Sequence, residues 1–247
     1  MRYAAMKEVT RLPAEAKALV IAVDGPAGAG KSTVAQAVAK RLGYVYIDTG
    51  AMYRALTLQA ARCGVSPEDG QGLVRLLQNT DIRLVNHPDD KGKNRVLLNG
   101  EDVTEAIRSP DVSQAVSKVA SHPEVRKHMV RMQQALAAEG GVVMDGRDIG
   151  TTVLPNAELK VYLTADASAR AERRWRELRA AGHDADLEDV YKSILERDRQ
   201  DKERAESPLR AADDAVVIDS TNCPIDEVVN KVLELVAERT SQHASGR

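Results

Sequence analysis

Gly25-Pro26-Ala27-Gly28-Ala29-Gly30-Lys31-Ser32 follows the spacing G-x-x-x-x-G-K-[ST] in full. Each residue type has a task at that spacing. The glycines let the backbone curl so that successive N–H groups converge on one anion. A helix starting near Lys31 adds its positive end. Lys31 supplies a mobile cation for the β- and γ-phosphates, and the Ser32 hydroxyl suits a Mg²⁺ ion. The segment from Gly25 through Ser32 and Thr33 is therefore the expected ATP-binding loop. An ordinary glycine-rich turn is the alternative. The context favours the first reading: ALVIAV (Ala18 to Val23) is a short apolar run of the kind that forms a central parallel strand, and VAQAVAKRL is a helical pattern that stops at Gly43.

Arginines stand where a second anion could be held. Arg54 closes the run Asp48-Thr49-Gly50-Ala51-Met52-Tyr53-Arg54. Arg147 lies in DGRDIG, just past the expected end of the strand VVMD, the place where open α/β sheets bind ligands. Arg173, Arg174 and Arg176 crowd one helix. Arg197, Arg199 and Arg204 crowd another, with Asp198 and Asp201 between them. For any single one of these, a solvated face or an i,i+4 ion pair is the alternative. Arg147 differs, because Asp145, Arg147 and Asp148 sit between glycines at a strand end, where a surface pair explains little. The chain has no NKxD-type guanine-reading motif; Asn79-Thr80-Asp81 lacks the lysine. Nor does an acidic pair follow VVMD, since Gly146 comes after Asp145.

The elements that must position these residues alternate. Strand patterns fall at Ala18–Val23, Tyr44–Asp48, Val142–Asp145, Leu159–Leu163 and Ala215–Asp219. Helical patterns lie between or after them, including about Ala51–Arg62, Asp166–Ala181, Leu187–Glu206 and Pro224–Arg239. Such alternation implies right-handed βαβ units and a parallel sheet covered on both faces. The middle differs: DIRLV and RVLLN, joined by HPDDKGKN, read as a small antiparallel sheet, with helices at about Asp111–Ala120 and Pro123–Ala138 following it. Residues 19–70 and 110–240 are thus expected to form the core, with 71–109 an inserted subdomain. Residues 1–18 and 241–247 read as a loose extension and tail.

Composition narrows the function. The 247 residues carry 35 Lys+Arg and 37 Asp+Glu, a net charge of −2, so a broad nucleic-acid-binding face is not expected. Aromatics are 3% with no Phe, which leaves no stacking platform for bases of a single strand. No apolar run approaches the roughly 20 residues of a membrane span. Cys63 and Cys223 lack CxxC spacing and read as reduced thiols of a cytoplasmic protein.

DGPAGAGKST, DTGAMYR, SKVASHPEVR, DGRDIGT and ERDRQDKERAESPL together resemble the bacterial cytidylate kinase family in order and spacing, from about Leu19 to Val236. The resemblance implies a three-layer α/β P-loop kinase core, an inserted monophosphate-binding subdomain with a small antiparallel sheet, and a short helical lid at about 168–184. It implies transfer of the ATP γ-phosphoryl group to CMP or dCMP with Mg²⁺, held by Ser32 and through water by Asp145. In that family's pattern Arg54, Arg147 and Arg204 clamp the acceptor phosphate and share catalysis with Lys31. Ser117, Arg126 and Asp148 read cytosine, and Arg197 and Asp201 contact ribose. Thr49 stands where a serine is common, keeping the hydroxyl. Arg173 and Arg174 fall in the segment matching the ATP lid. The expected partners are small nucleotides acting on a monomer, with neither polymeric nucleic acid nor membrane. None of the five histidines falls at a place suited to catalysis, and a monophosphate oxygen, ionised near pH 6 by analogy with phosphorylated side chains, needs no base. A kinase for another small acceptor and a nucleotide-binding module without catalysis remain the other readings.

Overall fold

Runs of Val, Ile, Ala and Leu without polar alternation can be buried on both faces, and that is how they are used. The computed structural model describes residues 18–86 and 94–245. The strands β1 (Val20–Asp24), β2 (Val45–Asp48), β6 (Val142–Gly146), β7 (Leu159–Thr164) and β8 (Val216–Asp219) form one parallel sheet in the order β2-β6-β1-β7-β8. On one face, α1 (Lys31–Leu42) and α8 (Ile225–Ser245) cover Ile21, Val23, Val143 and Val161. On the other, Ala22, Ile47 and Met144 meet α5 (Pro123–Leu136) and the turn after β6. With no phenylalanine to fill space, small residues such as Ala35 and Ala39 let α1 approach the sheet closely.

A second apolar cluster lies beneath the antiparallel sheet of β3 (Ile82–Asn86), β4 (Asn94–Leu98) and β5 (Glu101–Asp102). It joins Val96 and Leu98 to Leu56 on α2 (Thr49–Arg62), Leu73 on α3 (Gly70–Gln78), Val116 on α4 (Pro110–Val119) and Met129 on α5. The chain then returns to the sheet through β6. After β7, the helices α6 (Ala167–Ala180) and α7 (Leu187–Glu203) pack on one another through Ala171, Val190 and Ile194. Among the described residues, no helix is long and apolar enough to cross a membrane.

Several boundaries differ from the sequence expectations for local reasons. α7 stops at Glu203 rather than at Glu206, because Arg204 turns its guanidinium onto the carbonyls of Glu206 and Ser207 and the Leu209 amide folds back onto the Asp201 carbonyl. α8 continues to Ser245 instead of ending near Arg239; the next helix breaker in the sequence is Gly246. Ile149–Val153 forms one wide π-helical turn, with the Leu154 amide bonded to the Ile149 carbonyl, that no sequence period announced. The expected N-terminal extension up to residue 17, the HPDDKGKN loop from residue 87 to 93 and the last two residues lie outside the described residues.

Two glycines make contrasting tests. Gly25 has φ +147°, and a Cβ there would sit 1.9 Å from the Leu163 carbonyl oxygen of β7. Gly43 has φ +68° with open space around it. Gly25→Ala is expected to cost at least about 3 kcal/mol of unfolding free energy, against about 1 kcal/mol for Gly43→Ala, in denaturant titrations of the two variants.

Candidate active site

In a parallel sheet all carboxyl ends point the same way, and here three neighbouring strands carry an aspartate at that end, last in β1 and β2 and next to last in β6. Asp48 of β2 lies level with Asp145 of β6, and Asp24 of β1 with Gly146. Asp48 caps α2, accepting from the Ala51 amide at 2.8 Å, and pairs with Arg54 at 3.2 Å. The Asp145 carboxylate accepts from Ser32 Oγ at 3.0 Å and from the Tyr46 hydroxyl at 2.8 Å, while its carbonyl accepts from Thr49 Oγ1 at 2.7 Å. Asp24 accepts from the Ile149 amide at 2.8 Å and the Gly150 amide at 2.7 Å. Its carboxylate thereby joins the root of the glycine loop to the turn that carries Arg147 and Asp148.

The glycine loop curls as expected, with Gly28 and Gly30 at positive φ and α1 beginning at Lys31. Lys31 is buried and its Nζ donates to the Pro26 carbonyl at 2.7 Å. Burial lowers its pKa, and the Arg147 charge lowers it further. Burial raises the Asp145 carboxyl, with the Asp48 charge adding to it. Thr33 is exposed on the first turn of α1. Two groups brace the loop from behind: Ser220 Oγ donates to the Ala29 carbonyl at 3.0 Å, and Arg170 donates to the Ala27 carbonyl at 3.1 Å.

Arginines line the side opposite the glycine loop. Arg147 Nε donates to Asp201 at 2.9 Å. Burial lowers the Arg197 pKa to about 10, and the charges of Arg147, Arg54 and Arg174 push the same way, so these four guanidinium groups share one field. Burial pushes the Asp201 carboxyl up, but Arg147 and Arg197 more than reverse it. Arg204 lies near Arg126 and Asp148 although its guanidinium faces its own loop. Arg126 is buried, donates to the Ala120 carbonyl at 3.2 Å, and pairs with Asp148. Ser117 is half-buried on α4, and among the described residues it makes no hydrogen bond to this pair.

The crowded helices divide cleanly. Arg176 and Arg199 pair with Glu172, Glu196 and Glu203 on exposed faces, as the surface-helix reading allows. Arg173 is tied to Ser220 Oγ at 3.2 Å and the Thr221 carbonyl at 3.2 Å, and Arg174 to Glu177 at 3.2 Å. Asp24, Tyr46, Arg170 and Ser220 were not singled out from the sequence, and Tyr53 and Asp198, though named, were given no role. Arg170 is the most telling: it is buried and makes a two-pronged pair with Asp198 of α7 at 2.6 and 3.1 Å. Only Asp24 had a legible signal, an acidic residue ending an apolar strand directly before the glycine loop.

Buried polar atoms without partners are uncommon, and each calls for an explanation such as an ordered water, an ion or a ligand. Six such side-chain atoms occur among the described residues, and four belong to this cleft: Tyr53 Oη, Arg54 Nε, Arg126 Nε and Arg197 Nε.

The cytidylate kinase family model matches residues 21–238. The cytidylate kinase of Geobacillus kaustophilus is 57% identical over 219 residues, covering 89% of this chain and 96% of that protein. That of Carboxydothermus hydrogenoformans is 52% identical over 219 residues, covering 89% and 97%. That of Geobacillus thermodenitrificans is 56% identical over 221 residues, covering 90% and 97%.

The Asp24 joint has a pH signature. Burial pushes its carboxyl up to about 6, the Gly150 and Ile149 amides pulling back only part of the way. A carboxyl raised on folding contributes stability at low pH that is lost as pH climbs through its folded pKa. Between about pH 4 and 6, each pH unit is expected to cost the parent about 1.4 kcal/mol relative to Asp24→Asn, read from the unfolding free energies of both proteins across pH.

Proposed function

The chain belongs to the cytidylate kinase family, and we propose on that footing that it transfers the γ-phosphoryl group of ATP to CMP or dCMP. One observation carries the reading. The charges of Arg147 and Arg197 bear on Lys31 in the glycine loop, and Arg54 shares the field of Arg197, with buried Nε atoms of Arg54 and Arg197 left without a partner among the described residues.

Phosphoryl transfer needs two polyanions placed in line and their repulsion cancelled. The loop from Gly25 to Thr33 holds the donor phosphates, with Lys31 released from the Pro26 carbonyl to follow the migrating group. Arg54, Arg147 and, once turned from the Glu206 and Ser207 carbonyls, Arg204 hold the acceptor phosphate, the planar fork of a guanidinium being suited to two phosphate oxygens. Arg197 and Asp201 serve the sugar, and Arg173 and Arg174 close over ATP. The monophosphate arrives ionised, so no side chain has to remove a proton. Ser32 Oγ and the Asp145 carboxylate, already in contact at 3.0 Å, fit a Mg²⁺ that takes few protein ligands and completes its shell with water and phosphate. When bound, the ion neutralises charge on the phosphates. Cys63 and Cys223 are unpaired, which suits a reducing cytoplasm.

Base choice rests on the Arg126–Asp148 pair. A carboxylate accepts from the cytosine amino group, and a guanidinium donates to N3 or O2. Uracil presents the opposite polarity at positions 4 and 3, leaving buried groups unpaired.

A coupled assay with ATP, Mg²⁺ and CMP tests the activity; no turnover of CMP defeats the proposal. Arg147→Ala is expected to lower kcat/KM for CMP by about 10²-fold or more, with a much smaller effect on the KM for ATP. Asp148→Asn is expected to narrow the preference for CMP over UMP by at least about tenfold, measured as the ratio of kcat/KM values.

A further inference from the structure

Of the unpaired buried atoms in the cleft, three are guanidinium Nε atoms on residues already given to the acceptor nucleotide. The fourth is the hydroxyl of Tyr53, which no step above uses. The residue is 8% exposed. Its ring belongs to the apolar cluster of α2, α4 and α5, and its backbone carbonyl accepts from Thr57 Oγ1 at 2.8 Å within α2. The phenol end leaves that apolar setting. The Arg126 guanidinium lies over the ring, 5.7 Å from its centroid, and the charges that bear on the phenol are those of Arg126, Asp148 and Arg204.

Packing alone does not ask for the oxygen. A phenylalanine would fill the same apolar space and leave no buried hydroxyl unsatisfied. Burial also pushes the phenol pKa up to about 12, with Arg126 drawing it back, so the group remains a neutral O–H able both to donate and to accept. A buried hydroxyl beside the Arg126–Asp148 pair, without a partner among the described residues, is satisfied when a polar ligand edge arrives.

We propose that Tyr53 is a further binding contact of the acceptor site: its ring packs against the Arg126 guanidinium, and its hydroxyl hydrogen-bonds the base end of a bound pyrimidine monophosphate. The inference rests on the acceptor-site reading above. It explains why an aromatic residue with an oxygen immediately precedes Arg54 on α2. The helix presents Arg54 to one end of the acceptor and Tyr53 to the other.

The test is Tyr53→Phe in the full chain. CMP affinity is read by calorimetry, KM for CMP, UMP and ATP by kinetics, and thermal stability alongside. The expected result is a melting temperature equal to or above the parent's. CMP dissociation constant and KM rise about tenfold, the KM for ATP stays unchanged, and UMP loses about as much as CMP, because a hydroxyl that donates and accepts serves either base. Unchanged CMP affinity overturns the inference. So does a lowered melting temperature with the KM for both substrates rising together, which would mean that the hydroxyl serves the fold through an ordered water. An equal weakening of ribose 5-phosphate binding, read by the same calorimetry, overturns the assignment to the base end. A parent that binds CMP without phosphorylating it defeats the reaction proposed above and leaves the affinity comparison to decide Tyr53. A parent that neither binds nor converts CMP overturns both.

Discussion

Burying positive charge beside positive charge is the constraint around which this structure is arranged. Lys31, Arg197 and Arg204 all have their proton affinity lowered by burial first and by a neighbouring guanidinium next. Such a cleft is costly to fold without compensation. Compensation comes from carboxylates set between the cations: Asp48 with Arg54, Asp201 with Arg147, Asp148 with Arg126, Asp198 with Arg170. Nothing is neutralised to excess. Nε atoms of Arg54, Arg126 and Arg197 still lack partners, and polyanions are the ligands whose chemistry completes such a set.

The sheet turns that electrostatic arrangement into a geometric one. Parallel register brings Asp24, Asp48 and Asp145 to one edge, and each then anchors a different piece of the site. Asp24 holds the turn behind Arg147 and Asp148, Asp48 holds the start of α2, and Asp145 holds the first turn of α1 through Ser32. The Arg170–Asp198 pair adds a strut between α6 and α7, and Arg170 also reaches the Ala27 carbonyl in the glycine loop. Because α7 carries Arg197 and Asp201, the position of these two residues is keyed to the glycine loop through Arg170, by a two-pronged pair to Asp198 on one side and a bond to the Ala27 carbonyl on the other. In-line transfer tolerates little misplacement, so this cross-bracing belongs to function as much as to stability.

What could be read from the sequence follows from which signals are local. The glycine loop, the apolar strands and the helix stop at Gly43 are short-range patterns, and each stands where the residues placed it, within a few positions. The antiparallel sheet was legible for the same reason. The bonds that complete the site are not local. Asp24 meets Ile149 at a separation of 125 residues, and Ser220 meets Ala29 at 191. No period in the sequence encodes such pairings. Arginine-rich helices show the limit most sharply: Arg170 and Arg199 look alike in sequence, yet one is buried against Asp198 and the other spans exposed glutamates. Their difference is set by which face packs, and that is fixed only when α6 and α7 dock.

On the proposed reading, selectivity for one base over its near twin follows from the same economy of charge. Arg126 and Asp148 are paired with each other, so a base bound there would have to offer both members something at least as good as what it disturbs. Cytosine can meet a carboxylate with an amino donor and a guanidinium with ring acceptors at once, which lets the pair stay whole while each partner gains a bond. Uracil would set acceptor against acceptor and donor against donor between two buried side chains. In that reading the ion pair would act as a threshold: its discrimination would come from what the wrong base leaves unpaired rather than from attraction of the right one.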